Sequence, residues 1–187
     1  NKSKILQYLD IYTPDLIINC AAYTNVEKAE IDRKKCRETN FNAVKKLSEY
    51  CIKYNKKLLH ISTDYVFRGD AEKPYREADE TGPRTVYGQS KLAGEKAVLE
   101  HCENTLVARV AWLYGPSGPS FVHTMMRLGK QCGEPLKVVH DQIGNPTSTL
   151  AVASHLEHLL KTDIKGVVHL TCEGEATWFD FTRTIFN

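Results

Sequence analysis

The chain has 187 residues, of which 42% are apolar and 26% charged, and its 25 basic and 23 acidic residues leave a net charge of +2. This size and composition are typical of one globular domain with a sizeable core. The small net charge, without a basic run or stripe, argues against a nucleic-acid-binding protein. No run approaches the roughly 18 consecutive apolar residues of a membrane-spanning helix.

Cysteine spacing bears on metal sites and on the cellular compartment. No Cys-x-x-Cys pair occurs, so we expect no zinc site, and no other metal site is predicted. Six cysteines could form three disulfides. Because residues 1–7 lack the apolar segment of a secretion signal, we instead expect reduced thiols and a cytoplasmic protein. The cysteines are Cys20, Cys36, Cys51, Cys102, Cys132 and Cys172.

Apolar runs and amphipathic segments alternate in the first two thirds of the chain. Buried strands are predicted at 15–20, 57–62 and 105–112, and helices at about 25–35, 41–54 and 87–101, with a loop-rich stretch over about 68–86. Helices of this length between strands favour βαβ units, so the three strands should be adjacent and parallel. Their continuously apolar sequences are typical of strands covered on both faces. We therefore predict a doubly wound, parallel α/β fold.

The last third has shorter strands and denser polar residues. It predicts a helix over about 119–131, a strand Leu136–His140, a helix over about 149–161, a strand Gly166–Thr171 and a helix Thr177–Phe186. We accordingly expect residues 1–132 to form part of a dinucleotide-binding core. Residues 133–187 should form part of a smaller substrate-binding lobe, with some strands returning to the core.

A Tyr-x-x-x-Lys spacing occurs in the third predicted helix. Tyr87 and Lys91 lie at positions i and i+4 and therefore share a helix face. A free tyrosine has a pKa near 10, and a nearby cation favours the phenolate. The pair could therefore act in acid–base catalysis, although a single Tyr–Lys spacing of this kind is also common on solvated helices.

Two further segments follow predicted strands, at the edge where open α/β sheets bind ligands. Ser62–Phe67 (Ser-Thr-Asp-Tyr-Val-Phe) follows the second strand, and its Thr63 hydroxyl could bind the same carbonyl oxygen that Tyr87 protonates. Asn19–Thr24 follows the first strand. Its small residues Ala21 and Ala22 would let a flat ligand approach the backbone, although tight packing alone would also explain them.

These residues together resemble the extended short-chain dehydrogenases, and among them the dTDP-4-dehydrorhamnose reductases. The resemblance covers most of the chain, in order and at compatible spacing. Tyr-x-x-x-Lys marks only the superfamily, whereas Ser-Thr-Asp-Tyr-Val-Phe together with Asp-Gln-x-Gly-x-Pro-Thr is more specific. The matching segments are Asn19–Glu30, Asn40, Ser62–Phe67, Pro74–Glu77, Val86–Glu95 and Asp141–Thr147.

The resemblance implies hydride transfer from NADPH or NADH to the C4 ketone of dTDP-4-dehydro-L-rhamnose, giving dTDP-L-rhamnose. It implies that Tyr87 donates the proton, that Lys91 lowers the pKa of Tyr87 and binds the nicotinamide ribose, and that Thr63 polarises the carbonyl. Asp64 and Tyr65 would line the sugar site, and Trp112 would form an aromatic wall under the hexose. The remaining residues expected at the cofactor are Ala21, Ala22, Tyr23, Thr24 and Asn40.

One departure from the family concerns the phosphate-binding turn. The family begins with a strand, a glycine-rich turn and a helix that binds the pyrophosphate, but no Gly-x-x-Gly-x-x-Gly occurs in this chain. We therefore expect an internal piece of a longer reductase that binds NADPH poorly by itself. The preference between NADP and NAD stays open because the residue that separates them is missing as well.

Two other functions remain as alternatives. A nucleotide-sugar epimerase or dehydratase would share Tyr-x-x-x-Lys. A dehydratase would have two acidic residues directly after the threonine, but here Tyr65 occupies the second of these positions. A non-catalytic binding subunit of this fold would usually lose the catalytic residues, whereas Thr63, Tyr87 and Lys91 are all present. The expected partner is a small nucleotide sugar, with no nucleic acid and no membrane, and a homodimer is the assembly that we consider.

Overall fold

The computed structural model of the protein describes residues 2–131 and 135–187. The helices are α1 (Lys2–Tyr12), α2 (Val26–Ile31), α3 (Arg33–Arg37), α4 (Ala43–Tyr54), α5 (Val86–Leu99), α6 (Phe121–Gln131), α7 (Thr149–Leu160) and α8 (Trp178–Phe186). The strands are β1 (Leu16–Asn19), β2 (Lys57–Thr63), β3 (Thr105–Val110), β4 (Leu113–Tyr114), β5 (Ile143–Gly144), β6 (Thr147–Ser148), β7 (Gly166–His169) and β8 (Ala176–Thr177). A π-helical turn at Glu38–Asn42 precedes α4, and a 3₁₀ turn at Asp64–Val66 follows β2.

Four strands form the main sheet, in the order β1-β2-β3-β7. β1 pairs in parallel with β2, and β3 pairs in parallel with β7. The predicted α/β fold with a parallel sheet is confirmed, and the three strands expected to be neighbours are neighbours. All six residues of β3 are buried, as its uninterrupted apolar sequence predicted.

Helices α4 and α5 pack on one face of this sheet because their apolar positions recur at helical spacing. The core between them and the sheet contains Val44, Leu47, Cys51, Leu58, Val98, Cys102 and Val107, with Leu9 of α1 packed against it. Leu58 alternates with Leu59 along β2, so His60 and Ser62 lie on the same face as Leu58. The sheet face that α5 covers is therefore apolar in its first half and polar toward the carboxyl ends of the strands.

Several predicted boundaries differ from the observed ones. Helix α1 was not predicted, and the two helices expected over 25–35 and 41–54 are α2, α3, a π-helical turn and α4. β3 ends at Val110, because Trp112 has a left-handed backbone with φ of 46° and cannot continue a strand. The strand predicted at Leu136–His140 is wrong: these residues form no regular structure, although the Phe179 N–H group donates to the Val139 carbonyl oxygen at 3.1 Å.

Contacts between Cα atoms divide the chain into two compact units, Asn1–Arg109 with Ile164–His169, and Val110–Asp163 with Leu170–Asn187. The first unit contains the main sheet. The second contains two small sheets, β4 with β6 and β5 with β8, and the three helices α6, α7 and α8, of which α6 and α8 pack together. The predicted boundary between residues 132 and 133 lies outside the described residues.

Two further observations bear on the sequence-based expectations. No helix in the described part of the chain is long and apolar enough to cross a membrane. Free thiols are found at Cys20, Cys36, Cys51, Cys102 and Cys172. Cys132 lies outside the described residues.

Candidate active site

The carboxyl ends of β1 and β2 place two polar segments next to each other. Asn19, the last residue of β1, is the register partner of His60 in β2. The segment after Asn19 leaves the sheet without regular structure, and the backbone after Thr63 turns into the 3₁₀ turn. This is the edge at which parallel α/β sheets bind ligands.

The Thr63 hydroxyl organises the turn after β2. It donates to the Asp64 carboxylate at 2.9 Å and accepts from the Tyr65 N–H group at 3.3 Å. Burial raises the pKa of Asp64, and the hydrogen bond from Thr63 and the backbone N–H groups of the turn oppose that rise. The turn thus fixes the Thr63 side chain at the end of the sheet.

Tyr87 lies in the first turn of α5, which begins after Thr85, whose hydroxyl accepts from the Gly88 N–H group at 3.0 Å. Its ring is buried against Ala29 and Cys36, and its edge faces the ring of Tyr65, with the ring centroids 5.5 Å apart. The Thr63 hydroxyl lies close enough to the Tyr87 hydroxyl to lower the pKa of the phenol. The structure therefore brings together the two hydroxyl groups that the sequence analysis placed on one carbonyl oxygen.

The pKa of Tyr87 departs from the expectation. Burial is the main cause of a rise to about 12; Thr63 acts against the rise, and the neighbouring Asp64, Tyr65 and Cys36 side chains add to it. Lys91 does not contribute to this shift, so the expected lowering of the Tyr87 pKa by Lys91 is not observed. At neutral pH Tyr87 is a protonated phenol, which is the form that can donate a proton.

Gly88 lets the turn after β2 approach α5 closely. A Cβ atom at this position would overlap the carbonyl oxygen of Tyr65 and lie 2.9 Å from the Cβ atom of Pro83. Any larger residue must push the turn and the helix apart. Gly88 therefore sets the separation between the elements that carry Thr63 and Tyr87.

Lys91 lies one helical turn after Tyr87 and is only 2% exposed. Its amine donates to the Ile61 carbonyl oxygen at 2.6 Å and lies 3.4 Å from Nε2 of His60. Burial lowers the pKa of Lys91 from 10.5 to about 8, against the opposing charges of Glu95, Cys20 and Cys36. The amine is thus held at the carboxyl end of β2.

Asn40 is completely buried and binds the segment after β1. Its amide donates to the Tyr23 carbonyl oxygen at 3.0 Å and to Oγ of Ser90 at 2.9 Å, and it accepts from the Tyr23 N–H group at 2.7 Å. Ser90 in turn donates to the Tyr87 carbonyl oxygen at 2.7 Å. Asn40 therefore connects the segment expected at the cofactor to α5 through its own hydrogen bonds.

The other residues expected at the cofactor lie in this same segment. Ala21 and Thr24 are exposed, and Ala22 and Tyr23 are half-buried. The small, accessible residues at 21 and 22 fit the close approach of a flat ring, and Lys91 supplies a donor at the same edge. The described residues therefore fit the nicotinamide end of a dinucleotide, although no hydrogen bond assigns a role to Ala22 or Thr24.

Trp112 belongs to the second unit. Its ring stacks on Trp178, with the centroids 3.5 Å apart and the planes 8° from parallel, and its other contacts include Gly144, where a Cβ atom would overlap the indole. The Thr147 N–H group donates to the Trp112 carbonyl oxygen at 3.2 Å. These contacts hold a bulky residue in a backbone conformation that is uncommon for residues other than glycine.

The sequence analysis missed Asn19, His60, Ser90 and Gly88 as parts of this site. The sequence did contain a signal for His60. It is a polar residue within the otherwise apolar stretch Leu58–Ile61 of a predicted buried strand, and a buried polar side chain needs a hydrogen-bond partner. The π-helical turn that places Asn40 has no such signal. Asn40 was singled out by the family resemblance alone.

Comparison with known proteins shows which proteins this chain is similar to. The sequence model of the RmlD substrate binding domain matches residues 1–187. The dTDP-4-dehydrorhamnose reductase of Escherichia coli (strain K12) is 39% identical over 178 residues, which are 92% of this chain and 59% of that protein. The dTDP-4-keto-6-deoxy-D-glucose reductase of Streptomyces niveus is 40% identical over 179 residues, which are 95% of this chain and 62% of the relative.

Solved structures agree with the sequence comparison. The crystal structure of the dTDP-4-dehydrorhamnose reductase from Bacillus anthracis, in complex with NADP, superposes with a TM-score of 0.95 at 39% identity. The superposition covers 100% of this chain and 66% of that one. The chain thus spans about three fifths to two thirds of the length of the relatives that it matches.

Proposed function

Because the chain belongs to the RmlD substrate binding domain family, we propose that it carries the catalytic residues for reduction of dTDP-4-dehydro-L-rhamnose to dTDP-L-rhamnose with NADPH or NADH. The relatives from Escherichia coli and Bacillus anthracis are dTDP-4-dehydrorhamnose reductases, which supports the reaction class, and the NADP in the Bacillus anthracis structure supports the cofactor. The alternatives of an epimerase, a dehydratase or a binding subunit receive no support of this strength.

The observation that carries the proposal is the proximity of the Thr63 and Tyr87 hydroxyls, through which Thr63 lowers the pKa of Tyr87. Both hydroxyls are at the carboxyl edge of the sheet. A ketone oxygen placed between them would accept from Tyr87, and from Thr63 once the Thr63 hydroxyl rotates away from Asp64. As the ketone becomes an alkoxide, Tyr87 transfers its proton to that oxygen, and Thr63 keeps its hydrogen bond to the same atom. The nicotinamide, when bound, supplies the hydride that adds to C4 of the sugar.

One N–H group of the Lys91 amine donates to the Ile61 carbonyl oxygen. The remaining N–H groups of Lys91 would donate to the ribose of the nicotinamide nucleoside. Ala21, Ala22, Tyr23 and Thr24 would flank the cofactor, and Asn40 would keep that segment in place through Tyr23. Asp64 and Tyr65 would line the sugar, for which the 41% exposed ring of Tyr65 offers a surface. Trp112 would provide an aromatic wall for the hexose.

The remaining assignments are part of the same proposal. Residues 1–132 would contribute to the binding of the dinucleotide, and residues 133–187 to that of the substrate. The partner would be a nucleotide sugar, the assembly a homodimer and the location the cytoplasm.

The test is an assay of the full-length gene product for oxidation of NADPH and NADH. Two ketosugars are offered, dTDP-4-dehydro-L-rhamnose and dTDP-4-keto-6-deoxy-D-glucose, because the relatives differ in this substrate. We expect turnover of the first, with dTDP-L-rhamnose as product. Turnover of dTDP-4-keto-6-deoxy-D-glucose alone would replace the proposed substrate with that sugar. No turnover of either ketosugar, with NADPH or with NADH, would refute the proposed reaction.

A further inference from the structure

A line of buried polar groups extends from Lys91 into the sheet. Nδ2 of Asn19 lies 3.0 Å from Nδ1 of His60, and Nε2 of the same imidazole lies 3.4 Å from the amine of Lys91. His60 is completely buried and Asn19 is 7% exposed. The mechanism above uses Lys91 but assigns nothing to the imidazole behind it.

The backbone fixes how the Asn19 amide is oriented. The Ala21 N–H group donates to Oδ1 of Asn19 at 3.2 Å, so the other end of the amide, facing His60, is the NH₂ group. Nδ1 of His60 must then be the acceptor. Burial and the charge of Lys91 lower the pKa of His60 well below 6.5, so the imidazole is neutral and carries its one proton on Nε2.

The Nε2–H group therefore points at the amine of Lys91. An ammonium has only donors and gains nothing from this N–H group, whereas a neutral amine can accept from it. Three side chains near Lys91 act in the opposite direction: Glu95 on α5, Cys36 on α3 and Cys20 after β1 all favour the ammonium. Burial opposes them, and the Nε2–H group of His60, which faces the amine from β2, would act in the same direction as burial.

We propose that His60, oriented by Asn19, is a positioning residue that presents an N–H group to the amine of Lys91 and favours the neutral amine over the ammonium. Its role in catalysis rests on the function proposed above, but the contact itself does not. Lys91 then changes its protonation state close to neutral pH, so its charge beside the cofactor site depends on pH. Ala21, at the exposed end of this line, connects it to the segment proposed to flank the cofactor.

The experiment follows the side-chain amine of Lys91 by NMR in the full-length protein labelled with ¹³C,¹⁵N-lysine, with the signal assigned by its loss in Lys91→Arg. We expect a titration midpoint about 8 in the unmodified protein. Long-range ¹H–¹⁵N spectra of His60 should show the proton on Nε2. A midpoint near 10.5, or a proton on Nδ1, overturns the proposal without any variant.

Two variants of similar size test the cause. In His60→Gln an amide oxygen can replace the N–H group facing Lys91. In Asn19→Asp a carboxylate can only accept, so it favours the tautomer that carries the proton on Nδ1 and leaves the Nε2 lone pair facing Lys91. Each should raise the Lys91 midpoint by about one pH unit or more. Ser62→Ala is the matched control, a buried polar side chain on the same strand and face, and should leave the midpoint within about 0.2 pH units.

Unchanged midpoints in the folded variants overturn the proposal, and if one variant does not fold, the other decides. Because the titration needs no turnover, the two proposals can fail separately. If the variants shift the Lys91 midpoint but the protein reduces no nucleotide sugar, the proposed role of His60 is supported and the proposed reaction is refuted. If the protein is an active reductase but the variants leave the Lys91 midpoint unchanged, the proposed reaction is supported and the proposed role of His60 is refuted.

Discussion

The side-chain amide of Asn40 makes a two-point hydrogen bond with the backbone of Tyr23, donating to its carbonyl oxygen at 3.0 Å and accepting from its N–H group at 2.7 Å. Replacing Asn40 with alanine leaves both backbone groups and the Ser90 hydroxyl short of a partner. We expect the free energy of unfolding in urea to fall by about 2–3 kcal/mol. Asn42→Ala, in the same π-helical turn, loses only a bond to Glu38 and should cost less than about 1 kcal/mol. Equal losses in the two variants would show that the bond to Tyr23 contributes little.

Gly88 offers a test of the spacing between Thr63 and Tyr87. In Gly88→Ala the added methyl group pushes the Tyr65 carbonyl away from α5, so kcat should fall by about 10- to 100-fold because the two hydroxyls no longer meet one oxygen. The control is Gly129→Ala in α6, where the added methyl group meets the ring edge of Phe186 rather than backbone. This variant should keep kcat within about a factor of two, since helix propensity offsets the contact. Normal turnover of Gly88→Ala would contradict the assignment of Gly88.

A buried ion pair holds α5 on the sheet. Arg109 of β3 donates to both carboxylate oxygens of Glu95, at 3.0 and 2.7 Å, and the two side chains are 6% and 1% exposed. Glu95→Gln leaves a buried guanidinium without its counter-charge and should cost about 3–5 kcal/mol of unfolding free energy. Glu157→Gln removes the exposed pair with Lys161 and should cost less than about 0.5 kcal/mol. Similar costs for the two substitutions would mean that the buried pair is not what anchors the helix.

His60 predicts how stability depends on pH. Its pKa in the folded protein lies well below 6.5, so below about pH 6.5 the unfolded chain binds a proton that the folded protein does not. The free energy of unfolding should therefore fall as the pH is lowered from about 7 to 5, and this slope should become shallower in His60→Gln. The exposed His155, replaced by glutamine, serves as the control and should leave the slope unchanged. A slope identical in wild type and His60→Gln would mean that His60 does not stay neutral.

Local patterns predicted the elements that carry the site, since β2 is a continuous apolar run and α5 has apolar positions at helical spacing. The sequence could not indicate the π-helical turn at Glu38–Asn42, because such a turn depends on the tertiary contact of Asn40 with Tyr23. The strand at Leu136–His140 was predicted from β-branched residues alone. Such residues form a strand only where a neighbouring strand is available for hydrogen bonding. The motif placed Thr63 near Tyr87, but the high pKa of Tyr87 follows from burial, which no spacing reveals.

The central claim is that Tyr87 donates the proton in the proposed reduction, and Tyr87→Phe tests it most directly. The measurement is kcat for NADPH oxidation at saturating dTDP-4-dehydro-L-rhamnose, with deuterated NADPH used to establish that hydride transfer limits the rate in both proteins. Tyr50→Phe is the control, since it also removes a buried hydroxyl, one that donates to the Leu9 carbonyl oxygen at 2.8 Å, and should keep kcat within about a factor of two. We predict that Tyr87→Phe lowers kcat by about 10²–10⁴-fold while KM changes little. A Tyr87→Phe enzyme that retains more than about a third of the wild-type kcat, with hydride transfer rate-limiting, would contradict the account.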